Sequence, residues 1–369
     1  MKLLRTQRLA GASHRISASS RRRVGARSAG ENGTGATATM PEAQASGERE
    51  PQRAKYVINE IPQSRWEDGV PAVMGAHLMP SGNVAPISTS KGPGDGGLPH
   101  MFQYHSDAAN TEVAQFSDFD AAAKGLVAKV AGIARQAIEE RGAFALALSG
   151  GSLPKGLSHF AQASDCDFSK WWIFYVDERN VPHDSDDSTH KACQEHFLSR
   201  AGIPESQVFA IREGLGVREA ATNYEGRMLE LPQAVLPRND AGMPVLDCIL
   251  LGTGPDGHIA SLFPNSAQLA AKEGWILGID NSPKPPKERI TFTLPAVNAA
   301  KACIFLVCGE GKADVVHRAL ECQALPGALP AQMVRPQDGS VTWLVDIASS
   351  KELEIAQWEN KRAYPRSNV

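Results

Sequence analysis

One histidine and one carboxylate, His258 and Asp256, stand two residues apart in the glycine-rich run Leu250-Leu-Gly-Thr-Gly-Pro-Asp-Gly-His-Ile-Ala-Ser-Leu-Phe-Pro264. An imidazole titrates near neutral pH and can take a proton from water, and a carboxylate beside it can fix which ring nitrogen carries the hydrogen. The pairing suits general acid–base chemistry. The run follows an apolar segment, Leu246 to Leu251, which reads as a strand buried on both faces. Open α/β sheets bind ligands at the carboxyl ends of such strands. His159, His183, His190, His196 and His317 fall in helical or polar stretches and are read as structural.

Two other loops end strand candidates in the same way. Leu148-Ser-Gly-Gly-Ser-Leu-Pro154 follows the strand Phe144 to Leu148 and precedes a helix that Pro154 can start. Its glycines let backbone N–H groups approach an anion, so Gly150, Gly151 and Ser152 form a candidate phosphate cradle. A plain strand-to-helix turn would use the same residues. The loop lacks the spacing of a Walker motif, and Ser149 and Ser152 lack the frame of a nucleophile elbow. Asp177-Glu178-Arg179-Asn180-Val181-Pro182 follows the strand Trp171 to Val176 and presents carboxylates with a guanidinium. A solvated ion pair is the plain reading; a bidentate grip on phosphate is the functional one.

Gly252-x-Gly254-x-x-Gly257 also fits a dinucleotide fingerprint, and Asp280 stands where a ribose-binding acid would be sought. Pro255 stiffens that turn and Pro264 leaves room for only a few helical residues, which argues against a nicotinamide site.

The elements that must position these loops occupy the chain from about Met101. Helical spacing predicts one helix from Val113 to Glu140, stopped by Gly142 before the strand Phe144 to Leu148. Further strands are expected at Trp171 to Val176, Leu246 to Leu251, Trp275 to Ile279, Ile290 to Leu294, Ala302 to Cys308 and Val341 to Val345. Helices are expected at Asp187 to Arg200, Val217 to Leu231 and Lys312 to Leu320. Strands alternating with helices predict an α/β fold: a mostly parallel, Rossmann-like sheet with helices on both faces.

The 369 residues allow a sizeable core, and a formal charge of −3 argues against a general nucleic-acid binder. Residues 1–30 carry eight basic side chains and no acid before Glu31, a transit-peptide composition. Plastid or mitochondrion is expected if this leader is an address, and cytoplasm otherwise. Residues 31–100, rich in Gly, Pro, Ser and Ala, read as a poorly structured extension, so the domains are expected to be 1–100, 101–360 and a tail at 361–369. No stretch reaches the length of a membrane span, and six scattered cysteines indicate neither a disulfide framework nor a zinc site. No metal is expected.

The motifs quoted above, together with Ser282-Pro-Lys-Pro-Pro-Lys-Glu-Arg-Ile-Thr-Phe-Thr-Leu-Pro295 and Gly309-Glu-Gly-Lys-Ala313, resemble the 6-phosphogluconolactonase family over about residues 101–360. The resemblance implies a lactonase/deaminase-type fold and hydrolysis of 6-phosphogluconolactone to 6-phosphogluconate without metal, nucleotide or other cofactor. It implies His258 as general base, with Gly150, Gly151, Ser152, Arg179 and Lys312 on the phosphate. Asp177 and Asp256 would line the sugar site, and Arg289 is a candidate substrate contact. The expected partner is a small phosphosugar lactone, with no nucleic acid or membrane, and the chain is expected to be a monomer or weak homo-oligomer. After Ser152 the chain reads Leu-Pro-Lys where Thr-Pro is frequent in the family.

Two rivals share the fold. Aminosugar-phosphate isomerase-deaminases continue the Asp-Gly-His loop with Phe-Asn-Glu, whereas this chain continues through Ser261-Leu-Phe-Pro-Asn265. A non-catalytic sugar-phosphate sensor would want a helix-turn-helix ahead of the domain, and residues 1–100 are too rich in Gly and Pro to supply one.

Overall fold

The apolar runs that close on glycine-rich or acidic loops become the strands of one sheet. The computed structural model describes residues 76–78, 84–86, 100–106, 109–163, 166–322 and 327–354. Its strands are β1 (Ala76–Leu78), β2 (Val84–Pro86), β3 (His100–Ser106), β4 (Ala109–Phe116), β5 (Phe144–Leu148), β6 (Trp171–Tyr175), β7 (Asp177–Arg179), β8 (Cys248–Leu251), β9 (Ile276–Ile279), β10 (Arg289–Phe292), β11 (Ala302–Val307) and β12 (Ser340–Asp346). Seven form the main sheet in the order β3-β4-β12-β11-β8-β5-β6; β3 is antiparallel to β4 and every other neighbouring pair is parallel.

Strand alternation divides the core in two. Phe144, Leu146 and Leu148 of β5 face the helix Phe119–Arg141 and the short helices Leu153–Leu157 and Thr189–Cys193. Ala145 and Ala147 of the same strand face the opposite core, built with the helices Val217–Leu229, Leu294–Asn298 and Ala313–Glu321. Helices therefore cover both faces, as the α/β pattern predicts.

Two expectations change. The segment Val113 to Phe116 is not the first turn of a helix but the end of β4, which pairs with β12. The helix begins only at Phe119, because the Asp118 carboxylate accepts the Ala121 N–H at 2.9 Å and caps it. Gly142 closes the other end in the left-handed region at φ 78°, donating to Ile138 O. The strands at Trp275 to Ile279 and Ile290 to Leu294 do not join the parallel sheet; as β9 and β10 they form a small antiparallel sheet with β7, in the order β7-β10-β9. No helix connects β9 to β10, and parallel neighbours need a crossover.

This small sheet is packed tightly. A Cβ on Gly278 in β9 would lie 2.7 Å from Val217 O and 2.9 Å from Arg218 Cα, both in the first turn of the helix Val217–Leu229. Gly278→Ala must push that helix away, so it is expected to cost about 1–3 kcal/mol. The check is a lowered urea midpoint at unchanged slope; an unchanged midpoint would contradict the packing.

β1 and β2 pair antiparallel within the segment read as an extension. The basic leader 1–30, residues 31–75, 79–83 and 87–99, and the tail 361–369 lie outside the described residues. Cys193, Cys248 and Cys303 are buried in the core. Among the described residues no helix is long and apolar enough to cross a membrane.

Candidate active site

Four neighbouring parallel strands, in the order β11-β8-β5-β6, end on the same rim and deliver four loops to it. The chain leaves β5 toward β6 on one side and β8 toward β11 on the other, so β5 and β8 flank a topological switch point. That is where open α/β sheets form their ligand crevice. A cleft of about 290 Å³ opens there. Gly150, Gly151 and Ser152 line it from the loop after β5, and Asp177 and Arg179 from β7. His258 reaches it from the loop after β8, Lys312 from the loop after β11, and Lys284 and Arg289 from the proline-rich block. Asp256 does not line the cleft but is bonded to His258, which does.

A tight turn aims the imidazole. Gly254 N–H donates to His258 O at 3.2 Å, the Thr253 hydroxyl donates to the same oxygen at 3.0 Å, and Gly257 turns back at φ 81°. No helix follows, and Asp280 is exposed and paired with Arg218 at 3.2 Å. A dinucleotide-type pyrophosphate site is therefore not formed. His258 Nδ1 lies 2.5 Å from Asp256 Oδ1, and the ring stacks on Phe263 with centroids 4.7 Å apart. With Nδ1–H donating to the carboxylate, Nε2 is left as the basic nitrogen. Burial pushes the imidazole pKa below its ordinary value; Asp256 opposes this, and the Lys284 ammonium adds to it. Partial burial pushes the Asp256 carboxyl up, but His258 and Lys284 together outweigh it and hold the pKa at about 2. At neutral pH the pair is a neutral base beside a carboxylate.

A Cβ on Gly254 would run into the His258 ring and the Asp256 carboxylate. Both obstacles are side-chain ends, so Gly254→Ala is expected to fold but to turn the imidazole out of line. Catalysis is sensitive to such misplacement, and kcat should fall about tenfold with little change in Tm. Unchanged turnover would show that the ring does not need this turn.

The acidic loop after β6 is a strand, β7, and strand alternation separates its three charged residues. Asp177 and Arg179 face the cleft, whereas Glu178 is fully buried on the other side. Glu178 accepts backbone N–H bonds from Arg179, Thr189 and His190 at 2.7–2.8 Å, and so ties the segment 188–190 to β7. Burial pushes its pKa up against those three donors. Antiparallel register sets Arg289 opposite Arg179 and Thr291 opposite Asp177. Asp177 Oδ2 accepts the Ser261 hydroxyl at 2.7 Å, which pins the loop after His258 to β7.

The cleft is also rich in cations that are short of acceptors. Arg179 bonds Asp187 O at 2.6 Å through one terminal nitrogen, while its buried Nε has no partner. The hydroxyls of Ser149 and Thr189 are also buried and unpaired, and a Cβ on Gly150 would come within 2.8 Å of Thr189 Oγ1. Lys312 Nζ donates to Thr253 O at 2.7 Å, and burial with the nearby Lys284 charge pushes its pKa down. Buried donors without acceptors are costly unless a ligand supplies oxygens.

Sequence reasoning brought all nine of its candidate residues to this one place. It missed Lys284, whose Nζ lies 3.2 Å from Asp256 Oδ2 and 3.3 Å from His258 Nδ1. It also missed Ser149, Thr189 and Ser261. The only signal for Lys284, Ser149 and Ser261 was their place in the quoted motifs; Thr189 carried none, since it is brought there by a segment outside them.

Residues 117–343 match the family model described as glucosamine-6-phosphate isomerases/6-phosphogluconolactonase. The chain is 43% identical over 230 residues to the probable 6-phosphogluconolactonase 3, chloroplastic, of Oryza sativa subsp. japonica, covering 61% of this chain and 70% of that protein. It is 37% identical over 237 residues to the probable 6-phosphogluconolactonase 1 of Arabidopsis thaliana, covering 62% and 88%. Among solved structures, the 6-phosphogluconolactonase of Thermotoga maritima aligns at TM-score 0.54 and 28% identity, covering 64% of this chain and 99% of that one. That of Trypanosoma brucei aligns at 0.55 and 27%, covering 65% and 98%. A monomeric glucosamine-6-phosphate deaminase aligns at 0.53 with 19% identity and shares the fold.

Proposed function

The chain belongs to the family of glucosamine-6-phosphate isomerases and 6-phosphogluconolactonases, and from that premise we infer that it hydrolyses 6-phospho-D-glucono-1,5-lactone to 6-phospho-D-gluconate. This is the lactone-opening step of the oxidative pentose phosphate pathway. The observation that carries the assignment of roles is that an imidazole tied to a carboxylate shares one cleft with Arg179 and Lys312. The cleft suits a ligand with a phosphate at one end and a carbonyl at the other.

In the proposed reaction His258 Nε2 removes a proton from water, and the water oxygen attacks C1 as the carbonyl pair moves onto its oxygen. The tetrahedral species collapses, the C1 bond to the ring oxygen breaks, and the imidazolium returns its proton to that oxygen. The new carboxylic acid then ionises, releasing one proton per turnover. Asp256 holds the imidazole tautomer and stabilises its charged form. Arg179, Lys312 and the N–H groups of Gly150, Gly151 and Ser152 bind phosphate, with Ser149 and Thr189 as further donors. Anchoring the phosphate removes rotational freedom before the chemical step. Asp177 shapes the sugar region through its bond to Ser261.

The continuation Ser261-Leu-Phe-Pro264 after His258 supplies no carboxylate for the ring opening that a deaminase requires. The test is proton release from freshly made 6-phosphogluconolactone, corrected for spontaneous opening, with glucosamine 6-phosphate in parallel. Acid release above background supports the lactonase; ammonia from the aminosugar without lactone hydrolysis would replace it. The word chloroplastic in the names of rice relatives fits the plastid option for the basic leader.

A further inference from the structure

Negative charge appears on the carbonyl oxygen in this reaction, and the cleft must receive it beside two carboxylates, Asp177 and Asp256. The lining supplies four cations: Arg179, Lys284, Arg289 and Lys312. Arg179 and Lys312 serve the phosphate end. Arg289 is 4% exposed, and its three nitrogens are already engaged. Nε donates to Pro286 O at 3.0 Å, Nη2 to Pro285 O at 2.8 Å and to Lys284 O at 3.3 Å, and Nη1 to Ser261 Oγ at 3.3 Å. The remaining cation is Lys284, half exposed, on a flexible stem and within 3.3 Å of both members of the catalytic pair.

We propose that Lys284 leaves Asp256 to receive the oxyanion that forms on the lactone carbonyl, and that Arg289 is the positioning residue that holds Lys284 over His258 by gripping the backbone of 284–286. The proposal rests on the lactonase reading. The carbonyl π pair moves to oxygen as water adds, the ammonium hydrogen-bonds that oxygen without transferring a proton, and the pair returns when the ring C–O bond breaks. In the free protein the ammonium is held by Asp256 Oδ2 and lies 5.7 Å from the Phe263 ring centroid, so it is retained at the site before substrate arrives. An exposed ion pair of this kind contributes little to folding and is easily exchanged for a ligand. Arg289 suits the second role because its rigid planar fork directs donors to three carbonyls at once, where a lysine would offer only a point charge on a flexible stem.

The groups facing His258 are Asp256, Lys284 and Asp177, so removing the ammonium leaves two carboxylates acting on the imidazole. The experiment uses the full chain as Lys284→Met, Lys284→Arg and Arg289→Lys, reading steady-state kinetics and the imidazole titration of His258 by NMR. Loss of an oxyanion donor typically lowers kcat 10²–10³-fold, and a half-exposed lysine belongs below that range, at about 30-fold for Lys284→Met with KM nearly unchanged. Its His258 pKa should rise, moving the acid limb to higher pH. Lys284→Arg should restore kcat to within about fivefold of wild type by keeping the charge. Arg289→Lys should lower kcat and move the titration the same way with Lys284 still present. A Lys284→Met enzyme with kcat within twofold of wild type, or with its loss confined to KM, would overturn the oxyanion role. An Arg289→Lys variant that loses only thermal stability would overturn the positioning role. If the wild type turns over no lactone the lactonase reading fails instead, while the titration still reports whether the ammonium acts on His258.

Discussion

Replacing His258 by alanine is expected to lower kcat by about 10²–10⁴-fold, the range that a positioned general acid–base group contributes. KM should change little, because in the proposed reading the imidazole acts on the reacting carbonyl while other residues grip the phosphate. The substrate opens spontaneously, so the variant should approach that background rate. The neutral imidazole is the active form, and activity falls as pH drops through its pKa. Burial and the Lys284 charge outweigh Asp256 and hold that pKa below the ordinary histidine value. The acid limb of wild-type kcat/KM should therefore lie below pH about 6.5. A variant as fast as wild type, or an acid limb above that value, would remove His258 as the base.

Arg179→Ala is expected to lower kcat/KM for the phosphorylated lactone about 10²-fold, since a hydrogen-bonded charge pair in a partly desolvated site contributes about 1.5–3 kcal/mol. The guanidinium is held by Asp187 O and stands across from Arg289, so alanine also removes like-charge repulsion on β10. Part of the loss should appear in kcat, because the phosphate anchor orients the carbonyl. Glucono-1,5-lactone lacks the phosphate and provides the control: wild type and variant should open it equally slowly. If both substrates lost rate in parallel, Arg179 would be supporting the site and not gripping phosphate.

The parts legible in the sequence are those where one short segment carries its own meaning. Gly150-Gly151-Ser152 after β5 and Asp256-Gly-His258 after β8 declare both a strand end and a chemistry within a few residues. Gly142 marks the end of the first long helix, where it adopts φ 78°. Residues whose role is set by distant neighbours were not legible. Glu178 reads as one more acid beside Asp177 and Arg179, yet alternation on β7 turns it inward to cap the segment 188–190. Arg289 reads as a substrate contact and lines the cleft, but its bonds to the carbonyls of its own loop were not visible in the sequence. The helical pattern from Val113 concealed β4, because Val113, Ala114 and Phe116 are apolar enough to extend the helical stripe beyond its cap at Asp118. β9 and β10 stand apart from the parallel sheet because no crossover helix joins them.

In the proposed reaction a single phosphosugar bridges Arg179, Lys312 and His258. A crystal structure of the full chain with 6-phosphogluconate tests it most directly. The phosphate is expected within hydrogen-bond distance of Arg179, Lys312 and the Gly150–Ser152 amides, with the C1 carboxylate beside His258 and Lys284. Product bound with its phosphate against His258, or outside this cleft, would contradict it.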